Sequence, residues 1–154
     1  MKCLIQLCFF FVLFLTTLPA FSQRPGYYPK GGPDMEAEEV SLVQLIANPQ
    51  AYDNKIVRVL GFLHLEFEGN AIYLHREDFE HDIDKDAIWI NLPKDITAKQ
   101  AKTVNDQYVI CTARFRAGQH GHMGLFSGEF DGVTRLESWP YRPHPLPPPR
   151  PPVH

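Results

Sequence analysis

Between Val40 and Trp139 the chain alternates apolar and polar residues in a pattern that specifies a small set of elements. Ser41 stands before Leu42, Val43, Leu45 and Ile46, a helical spacing. A serine there is a natural N-cap, and Asn48-Pro49 ends the helix. After the turn residues Asp53-Asn54, residues 56–67 read with period two. Val57, Val59, Leu63, Leu65 and Phe67 share one face, and Gly61 interrupts the row. A glycine inside a strand marks a bulge or bend, which a strand shared by both halves of a small barrel requires. Gly69-Asn70 predicts a two-residue hairpin turn into a strand over 71–75, with Ile72 and Leu74 inward. A charged loop over 76–86 then leads to a third strand over 87–92, with Ile88, Ile90 and Leu92 inward.

Thr97 predicts the cap of a second helix, AKQAKTV, which Asn105-Asp106 breaks. Residues 108–116 form a fourth strand with Val109, Cys111, Ala113 and Phe115 on one side. After the loop AGQHGH, residues 123–139 supply a final strand or pair, interrupted by Gly128 and Asp131-Gly132. Three strands, a helix and two strands is the connectivity of the five-stranded OB barrel. A split β-sandwich is the alternative. The expected fold is therefore mainly β: a small OB-like barrel (β-β-β-α-β-β) with a short N-terminal helix, over 40–139. That length supports one modest core.

The flanks carry different signals. Lys2 precedes an uncharged run over 4–15, and Ala20-Phe21-Ser22 fits a signal-peptidase site, so residues 1–22 read as a signal peptide cut before Gln23. The run is short for a bilayer span, which needs about 20 apolar residues. Residues 23–39, rich in Gly, Pro and charge, read as a flexible lead-in. Residues 140–154 (PYRPHPLPPPRPPVH) read as a disordered, extended polyproline II tail, either a spacer or a recognised P-x-x-P ligand. Loss of the leader removes Lys2 and no acid, taking the formal charge from −3 to −4. It also removes Cys3 and Cys8, so Cys111 is left without a disulfide partner and stability must come from the core. The expected location is exported, periplasmic or secreted.

The stretches SLVQLIANPQAYDNKIVRVLGF, HGHMGLFSGEF and VTRLESW resemble the opening and closing segments of small exported bacterial OB-fold-like domain proteins without assigned activity. The resemblance covers residues 41–139. It implies the barrel fold and carries over no catalytic residue, since fold alone does not give function.

Candidate chemistry is sparse. OB barrels bind ligands on the outer face of their first three strands. The rows opposite the apolar ones there are Arg58, Leu60, Phe62 and His64, then Tyr73 and His75, then Trp89 and Asn91. Arg58, His64, Tyr73, His75 and Trp89 are the candidate partner-binding residues, a stacking platform with polar handles. The opposing expectation is that the amino-terminal helix or the tail packs on these rings as core. An acidic exported chain with no Lys/Arg stripe among the aromatics disfavours nucleic acid. Asp82, Asp84 and Asp86 have the first spacing of an EF-hand loop, but Ala87 and Pro93 stand at its glycine and glutamate positions. His120 and His122 offer two metal ligands where a zinc site needs about four. Glu66 and Glu68 flank the hairpin as ordinary solvated carboxylates, and Cys111 sits on an apolar strand face rather than beside a base. Nucleotide-loop and G-x-S-x-G patterns do not occur. The expectation is a non-catalytic binding module with no cofactor, whose partner is a protein, peptide or glycan of the cell envelope. The alternative is a metal-binding protein or metal-dependent enzyme using the loop histidines.

Overall fold

The computed structural model describes residues 25–28 and 36–140; the expected signal peptide, the start and middle of the lead-in, and the tail lie outside the described residues. In chain order the elements are β1 (Gly26–Tyr27), β2 (Glu38–Glu39), α1 (Leu42–Ala47), β3 (Ile56–His64), β4 (Ala71–Tyr73), α2 (Arg76–Glu80), β5 (Ala87–Ile90), α3 (Ala98–Val104), β6 (Gln107–Arg116) and β7 (Glu129–Ser138). Single 3₁₀ turns occupy Pro49–Ala51, Asp84–Asp86 and His122–Gly124.

Five of these strands close on themselves. β3 pairs antiparallel with β4, β4 with β5, β5 runs parallel to β7, β7 is antiparallel to β6, and β6 returns antiparallel to β3. The inward rows follow the sequence pattern. Val57, Val59 and Leu63 of β3 meet Ile72, Ile88 and Ile90, and Val109, Cys111, Ala113, Phe115, Phe130 and Leu136 complete the interior. Each fully buried aliphatic or aromatic side chain of this kind stabilises by about 1.5–3 kcal/mol. Gly61 faces inward, and a Cβ there would stand 2.5 Å from Ile72 Cγ2 and 2.7 Å from Leu42 Cδ1. The missing side chain is what lets α1 seat Leu42 in the barrel.

Both helices begin where the sequence places them. Ser41 and Thr97 each accept from the backbone N–H three residues on, and Gln44 and Gln100 reach back to the cap N–H. These reciprocal bonds satisfy donors that a helix start otherwise leaves open. α1 then buries Leu42 and Leu45, and α3 buries Val104.

The structure departs from the sequence reading at several places. β3 stops at His64 rather than Phe67, which is 90% exposed. The turn falls at Phe67-Glu68, with Glu68 in the left-handed region (φ +60°), while Gly69 packs against the Glu66 side chain. β4 ends at Tyr73, two residues early, and β5 at Ile90. His75 instead caps α2, a helix inside the stretch expected to be a charged loop; Asp78 accepts from its N–H at 2.7 Å. The final segment, expected as a strand or a pair, is one strand that begins only at Glu129, and its register gains two residues between Thr112 and Arg114 as Gly132 takes φ +56°.

The lead-in also holds two short strands. β1 pairs with β7 beyond the part that β5 covers, and β2 runs parallel to β3 beyond β4. Both cover strand edges that a five-stranded closure leaves unpaired. Tyr27 is buried, and its hydroxyl donates to Asp95 Oδ1 at 2.8 Å.

Candidate functional site

The outer face of β4, β5 and the end of β3 from Phe62 to His64 is covered by its own chain. Phe79 of α2 lies over it, with ring centroids 6.1 Å from Phe62, 5.6 Å from Tyr73 and 3.8 Å from His64, the last in a stacked arrangement. Phe126 covers the β5 side, 5.4 Å from Trp89. Phe62, Ala71, Tyr73, Ala87 and Phe126 thus form a second apolar cluster outside the barrel. The segment that packs on the platform is α2 together with the loop before β7. It is not the N-terminal helix, and the tail lies outside the described residues.

The five candidate residues are consequently dispersed. Tyr73 is 4% exposed and donates its hydroxyl to Asp84 Oδ1 at 3.1 Å. Burial, then the Asp84 charge, holds its phenol far above the usual range. His64 Nδ1 stands 2.7 Å from Asp106 Oδ1, and its Nε2 is 3.6 Å from Glu66. Trp89 donates its indole N–H to Asn91 Oδ1 at 2.9 Å, and Gly121 lies so close that a Cβ would be 2.5 Å from the ring. His75 projects into solvent at the start of α2, 3.3 Å from Asp78. Arg58 sits at the far end of β3, where it bonds Thr112 Oγ1 at 3.4 Å and Glu39 Oε1 at 3.2 Å. A continuous stacking surface made from these five does not exist.

Other candidates resolve locally. His120 donates from Nδ1 to the Phe126 carbonyl at 3.0 Å, while His122 Nε2 lies 3.7 Å from Glu68 Oε2. Among the described residues no group of three or more His, Cys, Asp or Glu is placed to hold a metal ion. Asp84 accepts from Tyr73, and the carbonyl of Asp86 accepts from Leu74, so the acidic run is tied into the fold. Cys111 is fully buried between its register partners Val59 and Leu136, and burial pushes its thiol up to about 12.

The loop tips at the end of this face remain open. The loop between β3 and β4 ends in Phe67 and Glu68, and the loop between β6 and β7 ends in His122 and Met123. Glu68 Oε2 and His122 Nε2, 3.7 Å apart, bring the two tips together. Phe67 is 90% and Met123 82% exposed. Both tips use left-handed backbone at non-glycine residues, Glu68 at φ +60° and Met123 at φ +52°. Such conformations cost about 1 kcal/mol or more and persist only when the surroundings impose them. Sequence reasoning placed Phe67 in the core and gave Met123 no role. The available signal was Glu66-Phe67-Glu68, an aromatic between two carboxylates.

The strand order β3-β4-β5-β7-β6 and the position of α3 decide the architecture. The fold is an OB-like barrel. No protein-family model matches the chain, and no curated protein matches it. Among solved structures, a Leishmania major Friedlin protein provisionally assigned as an aspartyl-tRNA synthetase aligns with 73% of this chain and 22% of its own, at 9% identity and a TM-score of 0.41. The chain thus spans about a fifth of that protein's length. In OB barrels the loops between the first two and the last two strands flank the ligand face. Here they are the loops that carry Phe67 and Met123.

Proposed function

We propose that the protein is an exported, non-catalytic binding module that engages a protein or peptide of the cell envelope through the tips of these two loops. The leader over 1–22 supports export. The observation that carries the binding role is the exposure of Phe67 and Met123 at the tips of two loops that Glu68 and His122 bring together. Large apolar side chains exposed together favour contact with a partner's apolar pocket. Methionine adapts its shape to such a pocket, and phenylalanine anchors it. Glu66 and Glu68 beside Phe67 favour a basic rim on the partner.

A Phe67→Ser, Met123→Ser double variant tests this reading. Both side chains face solvent, so the folded state should lose no more than about 0.5 kcal/mol. Capture of the partner from envelope extract, followed by titration with that purified protein, should weaken by on the order of 100-fold. A variant that binds as tightly as the parent would remove the loops from the site. Capture of a glycan rather than a polypeptide would overturn the partner class.

A further inference from the structure

We infer that residues 141–154 of this chain dock back across the outer face of β7, β6 and β3, in a groove that runs from Trp139 to Glu39. The groove encloses about 550 Å³ and is lined by Trp139, Ile110, Leu60, Arg58 and Glu39, with the start of α1 as one wall. Leu60 and Ile110 are register partners on neighbouring strands, and Leu60 is 47% and Trp139 38% exposed. An apolar trough on the outside of a folded barrel calls for an occupant. It lies apart from the loop tips, so the two proposals stand or fall separately.

Three observations identify the tail as that occupant. First, the tail starts in the groove. The Trp139 N–H donates to the Tyr108 carbonyl at 2.6 Å, which holds the residue against β6, and Pro140 follows at once. Second, its conformation suits the surface. Seven of the fourteen residues 141–154 are proline, a composition that favours polyproline II, and such helices dock into aromatic-lined grooves with little loss of entropy. Third, the charges leave an acidic excess for the tail to meet. The tail carries Arg142 and Arg150 and no acidic side chain, while the groove and the adjoining hollow hold Glu36, Glu38 and Glu39 against Arg58, which pairs with Glu39, and Lys55, which pairs with Glu38.

Reach is sufficient. β7, β6, β3 and β2 lie side by side, so crossing them takes three spacings of roughly 4.8 Å. Allowing for the offset along the strands, the path from Trp139 to Glu39 is about 20 Å, or six to seven residues at roughly 3.1 Å each. The tail is twice that length. Tethering places it at a local concentration on the order of millimolar, so even a weak contact is occupied within the chain.

The test compares the protein with a version ending at Pro140, both carrying Trp89→Phe so that Trp139 is the sole tryptophan. Removing the tail should red-shift Trp139 emission and raise its quenching by acrylamide about twofold or more. A synthetic peptide of residues 141–154 should reverse both changes in the shortened chain and leave the full chain unaffected. Leu60→Glu in the full chain should reproduce the effect of truncation. Amide shifts of Leu60 and Ile110, compared between full and shortened chains without the Trp89 substitution, supply the same readout independently of fluorescence. Identical quenching and shifts in the two chains would overturn the proposal. So would equal peptide binding by both, or a signal lost on dilution, which would assign the groove to the tail of a second copy.

Discussion

Cutting Tyr73 back to alanine should destabilise the protein by about 3–5 kcal/mol, the usual cost of deleting a buried aromatic ring. Small domains hold only about 5–15 kcal/mol in total, so the variant should be close to unfolding at room temperature. The reason lies outside the barrel. Tyr73 is packed against Phe79, belongs to the same cluster as Phe62 and Phe126, and donates its hydroxyl to Asp84. Without the ring, α2 has little to rest on, because Phe79 is its one large apolar side chain. Urea titration measures the effect, with Phe67→Ala as the exposed comparison that should stay within about 0.5 kcal/mol of the parent. A Tyr73→Ala protein that loses less than about 1 kcal/mol would mean that α2 is a loose cover and that the strand face is open to ligands.

Raising the pH above 9 should unfold the protein progressively. Three buried groups drive this. Burial pushes the Cys111 thiol from 9.0 to about 12; burial, then the bond to Asp95, pushes Tyr27 from 10.0 to about 12; and Tyr73 is displaced further in the same direction. All three are raised in the folded state, so that state keeps protons which the unfolded chain releases. Their contribution is complete below the unfolded values and declines as pH climbs towards the folded ones. Between those limits Cys111, fully enclosed, removes up to about 1.4 kcal/mol per pH unit, and the two tyrosines, nearer to solvent, remove less. Urea midpoints at pH 8, 10 and 11 should therefore fall with increasing slope. Cys111→Ala should start lower, having lost packing, yet show a flatter onset between pH 9 and 10. A parent protein equally stable at pH 8 and 11 would show that these groups reach solvent.

Much of the barrel was legible because its physics is local and periodic. Val57, Val59 and Leu63, then Ile72, Ile88 and Ile90, then Val109, Cys111, Ala113 and Phe115 all face the interior, as alternation dictates. Ser41 and Thr97 announced their helices through capping boxes. The errors came where a second interaction outranks the period. Alternation carried β3 through to Phe67, but the chain reverses at Phe67-Glu68, and a glutamate in left-handed backbone leaves no trace in hydropathy. The run REDFEHDIDKD looked like a solvated loop because one phenylalanine among acids forms no periodic stripe. Its Phe79 is nevertheless what closes the strand face. Gly26-Tyr27 and Glu38-Glu39 were hidden for a different reason: two-residue strands depend on a partner edge that only the folded barrel provides.

The site was less legible than the fold. Arg58, His64, Tyr73, His75 and Trp89 follow the parity of the strands correctly, since each belongs to an outward row or its end. Parity states which way a side chain points and is silent about what later packs on it. Tyr73 lies under Phe79, and Trp89 lies under Gly121 and Phe126. Phe67 and Met123, by contrast, belong to loops whose exposure depends on the turn geometry that the sequence pattern obscured.

Hydroxyl-radical footprinting of the free protein, read residue by residue by mass spectrometry, separates the two surfaces directly. Fast labelling is expected at Phe67 and Met123, with Tyr73, Phe62 and Phe126 at least tenfold slower relative to their intrinsic reactivities. Labelling of Tyr73 and Phe62 as fast as Phe67 would contradict it, because the strand face would then be open and the loop tips would have no special claim as the binding surface.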